Sequence, residues 1–222
     1  MKTLLAWLLW LWMSLCIVGA FLYAPVVTQG FQTPGSSRIL FFHVPMAWAS
    51  FLGFLGAAVW SARYLLRRDP RHDRAAAVAV QLGLLFGVLA TVTGAMWARI
   101  EWGAWWNWDP RQTSILASLL FYAAYLALRQ SVDEPEKRAR LAAAYALLGL
   151  VVTPFLYWVV PRITFSLHPD PVVNSAGKVD MDAANQQVLY GSGLGFAVLF
   201  FWVHNLQCRA QALIERKSSL RE

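Results

Sequence analysis

Six long apolar blocks, each closed by a polar, charged or proline-rich stretch, divide the chain. They run from about Leu4 to Ala24, Ile39 to Leu66, Ala75 to Trp97, Thr113 to Leu128, Leu141 to Val160 and Val188 to Leu206. Their apolar residues are continuous rather than arranged as one stripe of an amphipathic helix. A bilayer core about 30 Å thick needs roughly 20 such residues of helix to cross it. The pattern therefore predicts an all-α polytopic membrane protein, a single domain of six transmembrane helices over residues 1–222. The fourth block is the shortest and contains Ser114 and Ser118. The first follows Lys2 as a signal peptide would, but it exceeds the usual apolar region of about 7–15 residues and lacks a small-residue cleavage site. It reads as a retained helix. Proline suits a first helical turn, so Pro45 is expected to mark where the second helix becomes regular. Pro154 is placed to kink the fifth. Gly83, Gly87 and Gly94 in the third block, and Gly191, Gly193 and Gly195 in the sixth, suit close helix packing.

Charge assigns the sides. Of 19 Lys and Arg residues, 14 fall at the two termini and in alternate loops, and five (Arg38, Arg99, Arg111, Arg162 and Lys178) fall in the remaining connections. The positive-inside rule then puts both termini in the cytoplasm and turns segments 25–38, 98–112 and 161–187 outward. The formal net charge of +7 sits in short loops between apolar spans. It is a topology signal rather than a groove for nucleic acid. The two cysteines, Cys16 and Cys208, fall at opposite ends of the membrane and form no Cys-x-x-Cys pair, which excludes a thioredoxin-like centre and covalent c-type haem attachment to this chain.

The outward stretch 102–111 holds Trp102, Trp105, Trp106 and Trp108, followed by Asp109, Pro110 and Arg111. Tryptophan favours the membrane interface, which accounts for scattered residues such as Trp7, Trp10 and Trp158. It accounts less well for four in seven positions with Gly, Asp and Arg beside them. Indole rings also make a platform for a large planar ligand, each with an N–H to donate. Both readings stand. His72 and His204 fall on the cytoplasmic side and read as solvated or interfacial. His43 and His168 fall on the outer side, on segments flanking the Trp loop. They are either structural or a pair of axial ligands, since neutral imidazole commonly ligates haem iron. Arg38, Arg99, Arg111 and Arg162 lie near outer helix ends, where they snorkel or bind carboxylates such as haem propionates. Asp109 pairs with Arg111 or holds an indole N–H, and Glu101 is isolated in the sequence.

At this point the run Trp-Gly-Ala-Trp-Trp-Asn-Trp-Asp-Pro-Arg-Gln-Thr-Ser over 102–114, with Tyr23-Ala24-Pro25, Arg38-Ile39 and Phe42-His43-Val44-Pro45, resembles a known family. It is similar to the tryptophan-rich haem-handling proteins of cytochrome c biogenesis, specifically the cytochrome c maturation protein C (haem exporter protein C) family. The resemblance spans nearly the whole chain. It implies a bacterial inner-membrane haem carrier rather than an enzyme, holding haem b non-covalently at the outer face. His43 and His168 would be its axial ligands. Trp102, Trp105, Trp106, Trp108, Asp109, Arg38, Arg99 and Arg111 would complete the site. The implied partners are a periplasmic haem chaperone, the ATPase and membrane subunits of an ABC transporter, a small single-span protein and membrane lipid. The Arg-Gln-Thr-Ser ending points to the short six-helix branch. The Pro- and Asp-rich stretch after His168 departs from the family pattern and rests mainly on that histidine. A membrane cytochrome b subunit would carry histidines within its spans, and a small-molecule transporter would carry charges or broken helices at mid-depth. Neither pattern is evident, and no phosphate-binding Gly-rich loop occurs, so ATP hydrolysis would belong to a partner.

Overall fold

A computed structural model describes residues 2–28, 30–169 and 179–219; Lys178 and the Asp170-Pro171 pair lie outside that set. Most of the described residues are helical, with no strand among them. Helix α1 (Lys2–Val18) runs into a π-helical turn, Gly19–Tyr23, and a 3-10 turn Pro34–Ile39 leads into α2 (Leu40–Arg67). Then come α3 (Pro70–Trp102), α4 (Pro110–Gln130) and α5 (Pro135–Pro154), the last continued by a π turn Phe155–Val159 and a short α6 (Val160–Ile163). Helix α7 (Ala183–Ser219) closes the bundle.

Three helix starts share one chemical device. Asp69, Asp109 and Glu134 each stand at an N-cap before a proline, and their carboxylates accept the backbone N–H of Arg71, Arg111 and Lys137. The proline supplies a preset φ and withholds an N–H that would otherwise go unmet. This device starts α3 five residues before the predicted block. The helix also runs past Trp97 to Trp102, ending where Gly103 turns to φ +76°. The connection predicted over 98–112 is therefore only Gly103–Asp109. Asp182 likewise starts α7 early by accepting the N–H of Asn185, which holds its carboxyl below the usual carboxylate range. Pro45 lies inside α2 rather than at its start; with no N–H it leaves the Phe41 carbonyl one hydrogen bond short. Pro154 is followed at once by the π turn, so the fifth block breaks where proline predicted.

Helix α2 is the centre, packing against α3, α5 and α7. Its Phe54 stacks flat on Tyr122 of α4, with ring centroids 3.7 Å apart, inside a core that includes Ala57, Ala79, Val80, Tyr125, Ala142 and Ala146. Among the described residues five helices are long and apolar enough to cross a membrane: Thr3–Tyr23, Pro34–Arg67, Pro70–Trp102, Pro135–Ile163 and Ala183–Lys217. The sixth predicted span, α4, has 21 residues, and at 1.5 Å per residue it reaches roughly 31 Å. It falls short only in apolarity, because Ser114, Ser118, Tyr122 and Tyr125 are spent on the bundle interior, where all four are buried.

The connections sort to two ends. At one, Asp73 of α3 takes a two-point ion pair from Arg129 of α4, at 2.5 and 2.9 Å, and Arg74 pairs with Glu215. At the other, the segments 30–36, 103–109 and 164–169 are fastened to one another and to the Trp-bearing end of α3.

Candidate ligand-binding site at the Trp-loop end

His43 sits on the second turn of α2, and its Nδ1 lies 3.1 Å from Thr93 Oγ1 on α3. The Thr93 hydroxyl spends its one proton on the carbonyls of Leu89 and Ala90, so its oxygen accepts and His43 Nδ1 donates. Gly94 makes this approach possible: a Cβ there would stand 2.8 Å from His43 Cε1. Substituting Gly94 with alanine should push the imidazole off α3 and break the Thr93 bond. Nuclear magnetic resonance of the ring nitrogens would register this as loss of a single Nδ1–H tautomer; an unchanged tautomer would refute the tight fit.

His168 lies on the stretch after α6, and its Nδ1 donates to the Pro169 carbonyl at 3.0 Å. The Pro169 carbonyl makes His168 an Nδ1–H tautomer, and the Thr93 oxygen favours the same tautomer for His43. Their centroids are 6.4 Å apart. Burial pushes His168 down to about 3, helped by the positive charge of Arg111 and the neighbouring His43. It is neutral at any physiological pH, as a metal ligand must be.

An aromatic wall encloses the pair. Trp97 stands 5.2 Å from the His168 ring, Trp102 is 6.3 Å from it, and Phe31 meets Trp97 edge to face at 6.0 Å. Trp97 is absent from the sequence-predicted set although it is the indole closest to His168. Its signal was helical spacing: Gly94, Trp97, Ala98 and Glu101 fall on one face of the end of α3. The cavity between the two histidines has a volume of about 10 Å³, room for about one water.

Of the predicted tryptophans, Trp102 joins this wall. Trp105 and Trp108 stand out from the surface, 57% and 70% exposed, and Trp106 meets Trp108 edge to face at 5.8 Å. Trp108 holds φ +55°, a left-handed conformation costing a non-glycine residue of order 1–3 kcal/mol. Gln112 and Thr113 hold the loop there. Gln112 accepts the N–H of Asn107 and donates to the Trp105 carbonyl, and the Thr113 hydroxyl donates to the Trp108 carbonyl.

The arginines divide. Arg38 donates to the carbonyls of Ala20 and Ala24 at the end of the first helix, Arg99 to that of Gly103, and Arg162 to that of Trp158. Cations at helix C-termini are favourably placed. Arg111 is the arginine whose charge is felt at both histidines.

The two carboxylates have the least expected roles. Glu101, isolated in the sequence, is 3% exposed and accepts from Gln32 N, Thr33 N and Ser36 Oγ at 2.6, 3.0 and 2.6 Å. Asp109 takes the backbone N–H of Arg111 and, from across the site, the Ser166 hydroxyl and the Leu167 N–H. Neither holds an indole N–H. Two buried donors near the site lack a partner among the described residues, Trp97 Nε1 and Asn107 Nδ2.

Comparison with known proteins supplies the family. A family model described as Heme exporter protein C matches residues 1–222. A Bradyrhizobium diazoefficiens protein named Heme exporter protein C is 32% identical over 216 residues, covering 97% of this chain and 81% of its own. Its namesake from Paracoccus denitrificans is 30% identical over 205 residues, 92% of this chain and 85% of its own. An Arabidopsis thaliana protein named as a putative cytochrome c biosynthesis ccmC-like mitochondrial protein is 31% identical over 145 residues, 65% and 54% of the two chains. With the match unbroken from the first residue to the last, the chain belongs to the Heme exporter protein C family.

Proposed function

We propose that this protein is a haem-delivery component of cytochrome c maturation, holding haem b between His43 and His168 at the outer face of a bacterial inner membrane. The observation that carries the reading is the pair of imidazoles, each tethered through Nδ1 and 6.4 Å apart in an aromatic wall. The rings lie near parallel, at 28°, and two imidazoles this close reach one metal atom, at bonds of about 2 Å, once their Nε2 atoms turn toward it. Both histidines line one small cavity with Phe31, Gly94 and Trp97, and a macrocycle entering it would part the two ligand-bearing segments. Trp102, Trp105, Trp106 and Trp108 supply flat apolar surface. Arg111 foremost, then Arg38 and Arg99, supply positive charge for propionates, and the unpartnered Trp97 Nε1 is a further donor. Asp109 keeps the site together rather than touching the porphyrin.

On this reading α4 is a sixth span, both termini are cytoplasmic and the protein is a carrier rather than an enzyme. The family name implies an exporter assembly, and this site would present haem to a periplasmic chaperone while ABC transporter subunits and a small single-span protein supply the energy-dependent release. The test is an absorption spectrum of detergent-purified protein from haem-replete cells, wild type beside His43→Ala and His168→Ala. Sharp low-spin reduced bands in the wild type, broadened or lost in each variant, are expected. A colourless wild type would remove the haem reading, and bands unaltered in both variants would remove the ligand assignment.

A further inference from the structure

We propose that Asp109 is the latch that sets the position of His168, a positioning residue that acts through the loop rather than on the ligand. The inference rests on the haem-site reading above. Asp109 is only 4% exposed and is fixed in the bundle, because it caps α4 through Arg111 N at 2.9 Å. Its carboxylate then reaches across to the other strand of chain. Ser166 Oγ donates to it at 2.9 and 3.1 Å and Leu167 N at 2.8 Å, while Ser166 Oγ accepts from His168 N at 3.1 Å. Three consecutive residues ending in the ligand histidine thus depend on one side chain.

Apart from the packing of the His168 ring on Trp97, Trp102 and His43, the remaining contacts seen for this stretch among the described residues are local or apolar. The Thr164 hydroxyl bonds back to Val160 of its own helix, His168 Nδ1 bonds to the adjoining Pro169, and Pro169 packs against Gly30 by van der Waals contact. His168 lines the small cavity it shares with His43, and moving it to admit a macrocycle would strain or break the bonds of its stretch to Asp109. Charge-assisted hydrogen bonds are the strong ones, which suits a closure that must hold and then yield. Asp109 also ends the loop carrying the exposed Trp105 and Trp108, so the latch joins the aromatic rim to the ligand in one piece.

The test is Asp109→Asn in the full-length protein. The amide keeps one acceptor oxygen to cap α4, but its NH2 cannot accept the Leu167 N–H. In haem-free protein, hydrogen exchange over 163–169 should accelerate by about tenfold or more, the factor that loss of one such bond implies, with α2 and α3 unchanged. In haem-supplied protein, the low-spin bands should weaken as in His168→Ala, and added imidazole should restore them in both. Ser166→Ala, which leaves the cap intact, should show the same changes in smaller measure, and it decides the matter if Asp109→Asn does not fold. Wild-type exchange and a wild-type spectrum in the decisive variant would overturn the latch while leaving the haem site standing. A loosened loop in a protein that never takes up haem would uphold the latch and bring down the haem reading instead.

Discussion

Replacing Gly53 with valine is expected to drive α2 and α3 apart and cost most of the folded protein. A Cβ at position 53 would meet Gly83 Cα at 2.7 Å and the Ala79 carbonyl at 2.9 Å. These are backbone atoms, with no flexible side chain to step aside. The reciprocal position is as tight, since a Cβ on Gly83 would meet the Phe54 ring at 2.7 Å. Overpacking a core commonly costs about 1–3 kcal/mol by shifting side chains. Here whole helices must move, so a cost of about 3 kcal/mol or more is expected. Small residues let transmembrane backbones touch, and dispersion and lipid release then do what hydrophobicity does in water. Thermal unfolding in detergent, followed by the monodisperse fraction, checks the point. A Gly53→Val protein melting within a few degrees of the wild type would show that the helices do not touch there.

The second large effect is expected at Glu101. Substitution by alanine leaves the N–H groups of Gln32 and Thr33 and the Ser36 hydroxyl without their shared acceptor. An unmet buried donor costs about 1–3 kcal/mol, so the stretch 30–36 should come free of α3 at a cost of about 3–5 kcal/mol, less than the sum because it then finds water. The bundle should survive. What is lost is the cover over Phe31 and Trp97, a buried edge-to-face pair. Limited proteolysis should cut near residue 30, and tryptophan emission should shift to the red. Glu101→Gln, which keeps one acceptor oxygen, should show about half the effect. Resistance equal to the wild type in Glu101→Ala would mean that the stretch is held by packing alone.

Much of this was legible in the sequence, and the reasons for success and failure differ by element. Continuous apolar blocks gave the helices because crossing length and side-chain apolarity are properties of single segments. Their ends were missed by several residues, because α3 and α7 run on past the apolar run, where caps rather than hydropathy decide. Asp69-Pro70, Asp109-Pro110 and Glu134-Pro135 were the visible signals of those caps. The rank of α4 was hidden because its serines and tyrosines face the interior, where polarity lowers hydropathy without exposing anything to lipid. His43 and His168, chosen because they share a side and flank the Trp loop, stand 6.4 Å apart. Trp97 was overlooked because it sits inside an apolar block, where an indole draws no notice. The roles of Glu101 and Asp109 depend on which chain segments meet in space, and no local pattern records that. An acid in the last turn of an apolar helix, where the dipole disfavours it, was the one available hint for Glu101.

The two facing imidazoles also bear on the order in which the protein is made. His43 belongs to α2 and His168 follows α6, with α3, α4, α5 and α6 lying between them in the chain. Contacts so distant in sequence form late. A chain arrested before residue 168 holds His43 without the imidazole that faces it. On the haem-site reading, affinity for the ligand is thereby withheld until the chain through the fifth span and the stretch after it has been made.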